Sequence, residues 1–297
     1  MKVAYRLPRA FRGATKLLLD KILNTVVNYQ QQGYKLSLRQ LYYQLVVQNV
    51  FPNQLKSYAK LSELLGEARM TGLCDWDVIE DRIRVPRFPN EWSDIPDAMD
   101  TLIAVYRRRR WDDQKNYVEV WVEKDALSGV LEPITRSYHA HLLVNRGYSS
   151  ISAMHDSALR FKRAAHEGKS CFLLYLGDHD PSGEDMVSDI DKRLREFMAT
   201  VNVNKIALTR EQVDAYSLPP NPAKTTDPRS KAYIEKYGVN SWELDALPPA
   251  TLNTLLTSAL DPLLDRSLYD AQIALEETDK EKMEQFGDEN VECEEVS

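Results

Sequence analysis

The sequence predicts a mixed α/β protein in which a helical N-terminal module precedes a doubly wound domain on a mostly parallel sheet. Two patterns and a charge asymmetry carry this expectation. Apolar residues recur at helical spacing from about residue 14 to residue 70. Beyond residue 116, β-rich runs alternate with helical stretches, the grammar of a parallel sheet with crossover helices. Residues 1–50 hold eight Lys/Arg against one Asp (+7), residues 1–115 carry +6 and the remainder −13, although the whole chain is only −7. A basic first part on an acidic second part fits a DNA-binding module joined to a metal-using or interacting one.

The first part reads as three helices, 14–30, 37–48 and 54–72, followed by the strand-like "RIRVPRF" at 82–88. Helices in that order with short turns and a trailing strand resemble a winged-helix or helix-turn-helix arrangement. In "LSLRQLYYQL" Ser37 is the expected N-cap. Leu38, Leu41, Tyr42 and Leu45 fall at i, i+3, i+4 and i+7, so Tyr42 belongs to the buried stripe. Tyr43 sits about 100° further round and four residues after Arg39, so phenol and guanidinium share a face expected to look outward. The connector "VPRFPNEWSDIPDAMD" leads into a helix expected to carry "RRRRW" at 107–111, either as a solvated face or as phosphate contacts.

In the second part "YVEVWVE" (117–123) is a strand, "ALSGVLEPITRSYHA" a helix, and "HLLVNRG" a strand and turn. "DSALRFKRAAHEG" is a helix, "CFLLYLGD" (171–178) a central parallel strand, "SGEDMVSDIDKRLREFM" a helix and "NKIALT" a strand. In such sheets chemistry gathers beyond the carboxyl ends of the strands. There Glu123 closes the first strand, and Asp178 and Asp180 close the apolar one in "YLGDHDPSGEDM". Aspartates at i and i+2 point the same way on extended chain, whereas His179 between them points away and is a neighbour rather than a ligand. Three carboxylates at one sheet edge suit a hard cation, Mg²⁺ or Mn²⁺, and not zinc.

Cys74, Cys171 and Cys293 are too few and too scattered for a disulfide framework or a zinc module, which favours a reducing, cytoplasmic setting. No window reaches the roughly 18 apolar residues of a membrane span, and the N-terminal helix carries charges where a signal peptide would be apolar.

"VEVWVEKDAL" with "LYLGDHDPSG" resembles the Toprim domain, the Mg²⁺-binding module of topoisomerases, bacterial primases and some nucleases. With the upstream "SLRQLYYQL" and the later "WELDAL" at 242–247, the order resembles the A subunit of topoisomerase VI and the related meiotic double-strand-break proteins, over residues 10–250. The resemblance implies a DNA-binding domain over 1–112 and a Toprim domain with extension over 113–265, leaving 266–297 as a helix and acidic tail. It implies Tyr43 as nucleophile, Arg39 beside the scissile phosphate, and Glu123, Asp178 and Asp180 as ligands of Mg²⁺. It implies a 5′-phosphotyrosyl link to double-stranded DNA, and a homodimer in which each tyrosine works with the partner's metal site. The sequence has no "GxxxxGK[ST]" loop, so ATP-driven strand passage would need a separate ATPase subunit. Gln40 departs from the family, which often has an acid directly after the arginine. The rival functions are a Toprim primase or nuclease, and a non-catalytic DNA-binding scaffold of the same fold.

Overall fold

The computed structural model describes residues 4–7, 11–79, 89–145, 150–223, 227 and 229–294, with side chains to 285. Helices α1 (Gly13–Gln31), α2 (Leu38–Val47) and α3 (Leu55–Met70) form the N-terminal module. Their stripes meet in one core, where Ile22, Leu41, Leu45 and Leu61 are fully buried. The strand expected at 82–88 lies outside the described residues.

Helix α4 (Ile95–Val105) starts at Asp94, whose side chain accepts from the Asp97 amide, and it ends before the arginine run. This corrects the expectation that "RRRRW" is helical. Tyr106 is extended, and the chain from there to 109 is neither helix nor strand before a turn begins at 110. Tyr106, Arg108 and Arg110 all reach helix α11 (Arg266–Glu294): the Tyr106 hydroxyl donates to Asp279 at 2.9 Å, Arg108 reaches Asp279 at 2.6 Å, and Arg110 reaches Glu276 at 2.6 Å. The run clamps the acidic C-terminal helix, and the carboxylates it meets there outweigh its helix propensity.

The second part is a four-stranded parallel sheet of β1 (Asn116–Val122), β2 (His141–Val144), β3 (Ser170–Leu176) and β4 (Asn202–Ala207), in the order β2-β1-β3-β4. Helices cover both faces. On one, α5 (Ser128–Ser137) and α10 (Pro249–Leu260) pack on Val118, Val120, Val122, Leu174 and Leu176. On the other, α6 (Ile151–His166) and α7 (Pro181–Glu196) pack on Trp121, Leu173 and Tyr175. The alternation along β1 also turns Glu119 into the second core, fully buried. There it accepts from Arg160 at 2.7 and 2.9 Å, from Tyr117 at 2.8 Å and from Trp121 at 2.9 Å.

The chain leaves β1 toward β2 and β3 toward β4, in opposite directions, so a crevice opens between the carboxyl ends of β1 and β3. The smaller elements α8 (Arg210–Ala215), β5 (Asn221–Pro222), α9 (Ser230–Tyr237) and β6 (Asn240–Ser241) bring the chain back across that crevice. Among the described residues no helix is long and apolar enough to cross a membrane.

Candidate functional site

Helix α2 begins with a reciprocal cap. The Gln40 amide donates to Ser37 Oγ at 3.3 Å, and the Ser37 amide donates to Gln40 Oε1 at 2.8 Å. Gln40 therefore does with one oxygen what an acid would do there, and its buried Nε2 has no partner among the described residues. One turn on, Gln44 is a buried strut: Tyr29 donates to its Oε1 at 2.6 Å, and its Nε2 donates to the carbonyls of Asp245 and Leu247 at 3.2 Å each. The segment 242–247 thus lies directly against α2.

The structure corrects the outward placing of Tyr43. Both tyrosines are buried in the core of the N-terminal module, Tyr42 at 4% and Tyr43 at 8% exposure. Tyr42 is anchored structurally, its Oη accepting from the Gln54 amide at 2.8 Å. Tyr43 meets Tyr42 edge-on at 5.3 Å and lies 5.4 Å from the Arg39 guanidinium. Its hydroxyl makes no hydrogen bond to another described residue. It borders an open hollow of about 360 Å³ shared with Arg39, Asn53, Gln54 and Tyr58.

Across from this hollow the strands deliver the carboxylates. The Glu123 amide donates to the Leu176 carbonyl at 2.9 Å, closing β1 against β3, and its carboxylate accepts from the Asp178 amide at 3.0 Å. Asp180 caps α7, accepting from the Gly183 amide at 2.6 Å. Two glycines are needed for close approach: a Cβ at Gly177 would stand 2.6 Å from the Tyr175 ring, and one at Gly183 would stand 2.2 Å from the Asp178 carbonyl. His179 exchanges both backbone hydrogen bonds with Trp242 at 2.9 Å, an antiparallel bridge that lays "WELDAL" beside "GDHD".

The bridge brings Glu243 and Asp245 to Asp178. Oxygens of these three side chains lie within 4.8 Å of one another. Burial raises the pKa of the Tyr175 phenol, and the charges of Glu123, Asp178 and Asp180 raise it further. Of the three ligands expected from the sequence, Asp178 is at the centre, Glu123 orients its backbone, and Asp180 is engaged as a helix cap. Glu243 and Asp245 were missed, although their E-x-D spacing repeats that of the D-x-D and was visible in the sequence. Lys124 was missed too. Its ammonium sits among the three acids, 2.7 Å from Asp178, 2.8 Å from Asp245 and in contact with Glu243.

Arg39 completes the cluster, 2.8 Å from Glu243 and 3.4 Å from Asp245. Burial pushes the Asp178 carboxyl well up; Lys124 opposes the rise, and Glu243, Glu123 and Asp245 reinforce it. Glu243, partly buried, is nonetheless held at about 2 by Lys124 and Arg39. Burial works against the charge of Lys124, but Asp178, Asp245 and Glu243 outweigh it and raise its pKa, so it stays an ammonium. Tyr43 is raised by burial and by Glu243, with Arg39 and Lys124 pulling the other way. His179 points away from the acids, as the alternation requires, with Nδ1 at 2.9 Å from Glu184 inside a box of Tyr233, Tyr237 and Trp242.

Arg39, beside Tyr43, meets the carboxylates of its own chain, whereas the resemblance implies pairing between two protomers. No family model matches the chain, and no curated protein matches it.

Proposed function

We propose that the protein is a DNA-cleaving and rejoining transesterase like the A subunit of type IIB topoisomerases, with Tyr43 as nucleophile. One observation carries this: Arg39 touches the Tyr43 ring and pairs with Glu243 and Asp245, joining two motifs some 200 residues apart in one crevice. The donor set fits a hard divalent cation, since it is all carboxylate oxygen and its acids outnumber Lys124 and Arg39. Asp178, Glu243 and Asp245 would hold it, and Mg²⁺ so bound would neutralise charge on the phosphoryl oxygens.

The chain's own residues supply the rest. Arg39, always charged and partly solvent-facing, donates to a phosphate entering the hollow beside Tyr43. The bond from the Tyr43 oxygen to phosphorus forms as the bond from phosphorus to the 3′ oxygen breaks. The phenol proton leaves to water in the open hollow, and the 3′ oxygen takes one up. Arg39 and Lys124 favour the phenolate that must develop, against the burial that disfavours it. The product keeps a phosphodiester, so the reverse attack reseals the strand.

The test is denaturing electrophoresis of end-labelled supercoiled DNA with the protein and Mg²⁺. Wild type should leave a covalent adduct and Tyr43→Phe none. Mixing Tyr43→Phe with Asp178→Ala reads the dimer: adduct on the Asp178→Ala chain means that the tyrosine works with a partner's acids, and no adduct means that it works with its own. No adduct from wild type, with or without an added ATPase subunit, would favour the scaffold function.

A further inference from the structure

At the opposite end of the sheet, a cavity of about 420 Å³ opens beside the first residues of β1, Tyr117 and Val118. The stretch from Val118 to Glu123 separates it from the acidic crevice, roughly 17 Å. Its wall carries Arg109, Arg110, Arg160, Arg163 and Lys169 against two acids, Asp112 and Glu167. The buried carboxylates behind the wall account for only part of this charge. Glu119 takes Arg160 in a bidentate pair, and Glu276 takes one nitrogen of Arg110. Lys169 donates to the Trp111 carbonyl at 2.7 Å and lies 3.4 Å from Glu167.

Two arginines remain that neither the fold nor the transesterase chemistry uses. Arg109 and Arg163, both exposed, make no ion pair among the described residues. Arg110 also lines the cavity, but it is only 5% exposed and its guanidinium pairs with Glu276 and lies over the Tyr269 ring, so it adds positive charge behind the wall rather than a free donor. The field there is positive: burial and then Arg110 lower the pKa of His139 on the same wall, and His139 holds a left-handed backbone, φ 49°, to sit there.

We propose that this cavity binds the phosphate groups of a small phosphorylated ligand, gripped by the exposed Arg109 and Arg163. Its volume suits a nucleotide-sized molecule. Tyr117 and His141, on the same wall, offer ring edges and faces to whatever the phosphate carries. The source is either a free polyphosphate or the phosphate tail of a nucleotide, and the two differ in whether the rings add affinity.

The experiment is isothermal titration of the full chain with pyrophosphate and, separately, with ATP, in excess EDTA so that the acidic crevice cannot hold a metal phosphate. Wild type should bind pyrophosphate at one site. Arg109→Ala and Arg163→Ala should each weaken binding roughly tenfold, the scale of one lost charge-assisted contact. Arg109→Glu should abolish it, while Lys162→Ala, on the same helix as Arg163 but off the wall, should leave it unchanged. Circular dichroism and melting verify that these surface variants stay folded. ATP binding tighter than pyrophosphate identifies a nucleotide, and equal affinity a free polyphosphate. No heat with either ligand up to about 1 mM, or full affinity in both alanine variants, overturns the proposal.

Discussion

Replacing Lys124 with Met removes the one ammonium lodged among Asp178, Asp245 and Glu243 while keeping the length of its stem. Breaking a buried ion pair by deleting one partner costs about 3–5 kcal/mol, because the remaining charge is stranded. At about 2–4 °C per kcal/mol for a chain of this order, melting in EDTA at pH 8 should fall by roughly 6–20 °C. The loss should depend on pH in a definite sense. Asp178 is already pushed above its unfolded value of 3.8, and without Lys124 it rises further. A folded-state carboxyl with a raised pKa binds more protons than the unfolded chain does, so stability falls as pH rises above the unfolded value. The deficit should be smaller at pH 5 than at pH 8. Mg²⁺ should restore much of it, about 2.7 kcal/mol at a hundredfold excess over Kd, and should stabilise the variant more than wild type, where Lys124 competes for the same oxygens. Calorimetry at both pH values, with EDTA and with Mg²⁺, reads all three effects. A variant melting within about 2 °C of wild type in EDTA at pH 8, or Mg²⁺ shifting both proteins equally, would refute the reasoning.

Tyr42→Phe strands the Gln54 amide and should cost about 1–3 kcal/mol in urea denaturation while keeping covalent adduct, whereas Tyr43→Phe should melt like wild type and form none. Glu119→Gln removes the anion beneath Arg160 in a fully buried site and should lower stability by about 3 kcal/mol by the same denaturation assay. Glu184, though partly buried, is held at about 2 by His179 and Lys205, so its contribution is present above its unfolded value of 4.5 and is lost as pH falls through 2. Glu184→Gln should therefore flatten the stability curve in that acid window and leave its shape above pH 6 unchanged, as acid titration followed by circular dichroism would show.

The sequence by itself determined the elements. Period 3.6 placed α1, α2 and α3, period 2 and β-rich runs placed β1, β3 and β4, and the switch between the two announced a parallel sheet with acids at its carboxyl ends. These are local signals, written by burial on one helix stripe or on alternate strand faces, and so they survive without coordinates. It placed Tyr42 on the buried stripe, where the structure has it, but not Tyr43, which is buried in the same core. Only the tertiary structure decided what lies against α2, because residues 242–247 reach Gln44 through the bridge between His179 and Trp242. The same bridge puts Glu243 and Asp245 beside Asp178, a meeting across some 65 residues that no periodicity encodes. The arginine run shows the limit from the other side. Its charge was legible, but its partners Glu276 and Asp279 lie more than 160 residues on, and pairing with them replaces a solvated helix by a non-helical clamp. Local chemistry fixes which backbone a segment prefers; which face is buried, and which charge is satisfied, depends on neighbours that only the folded chain supplies.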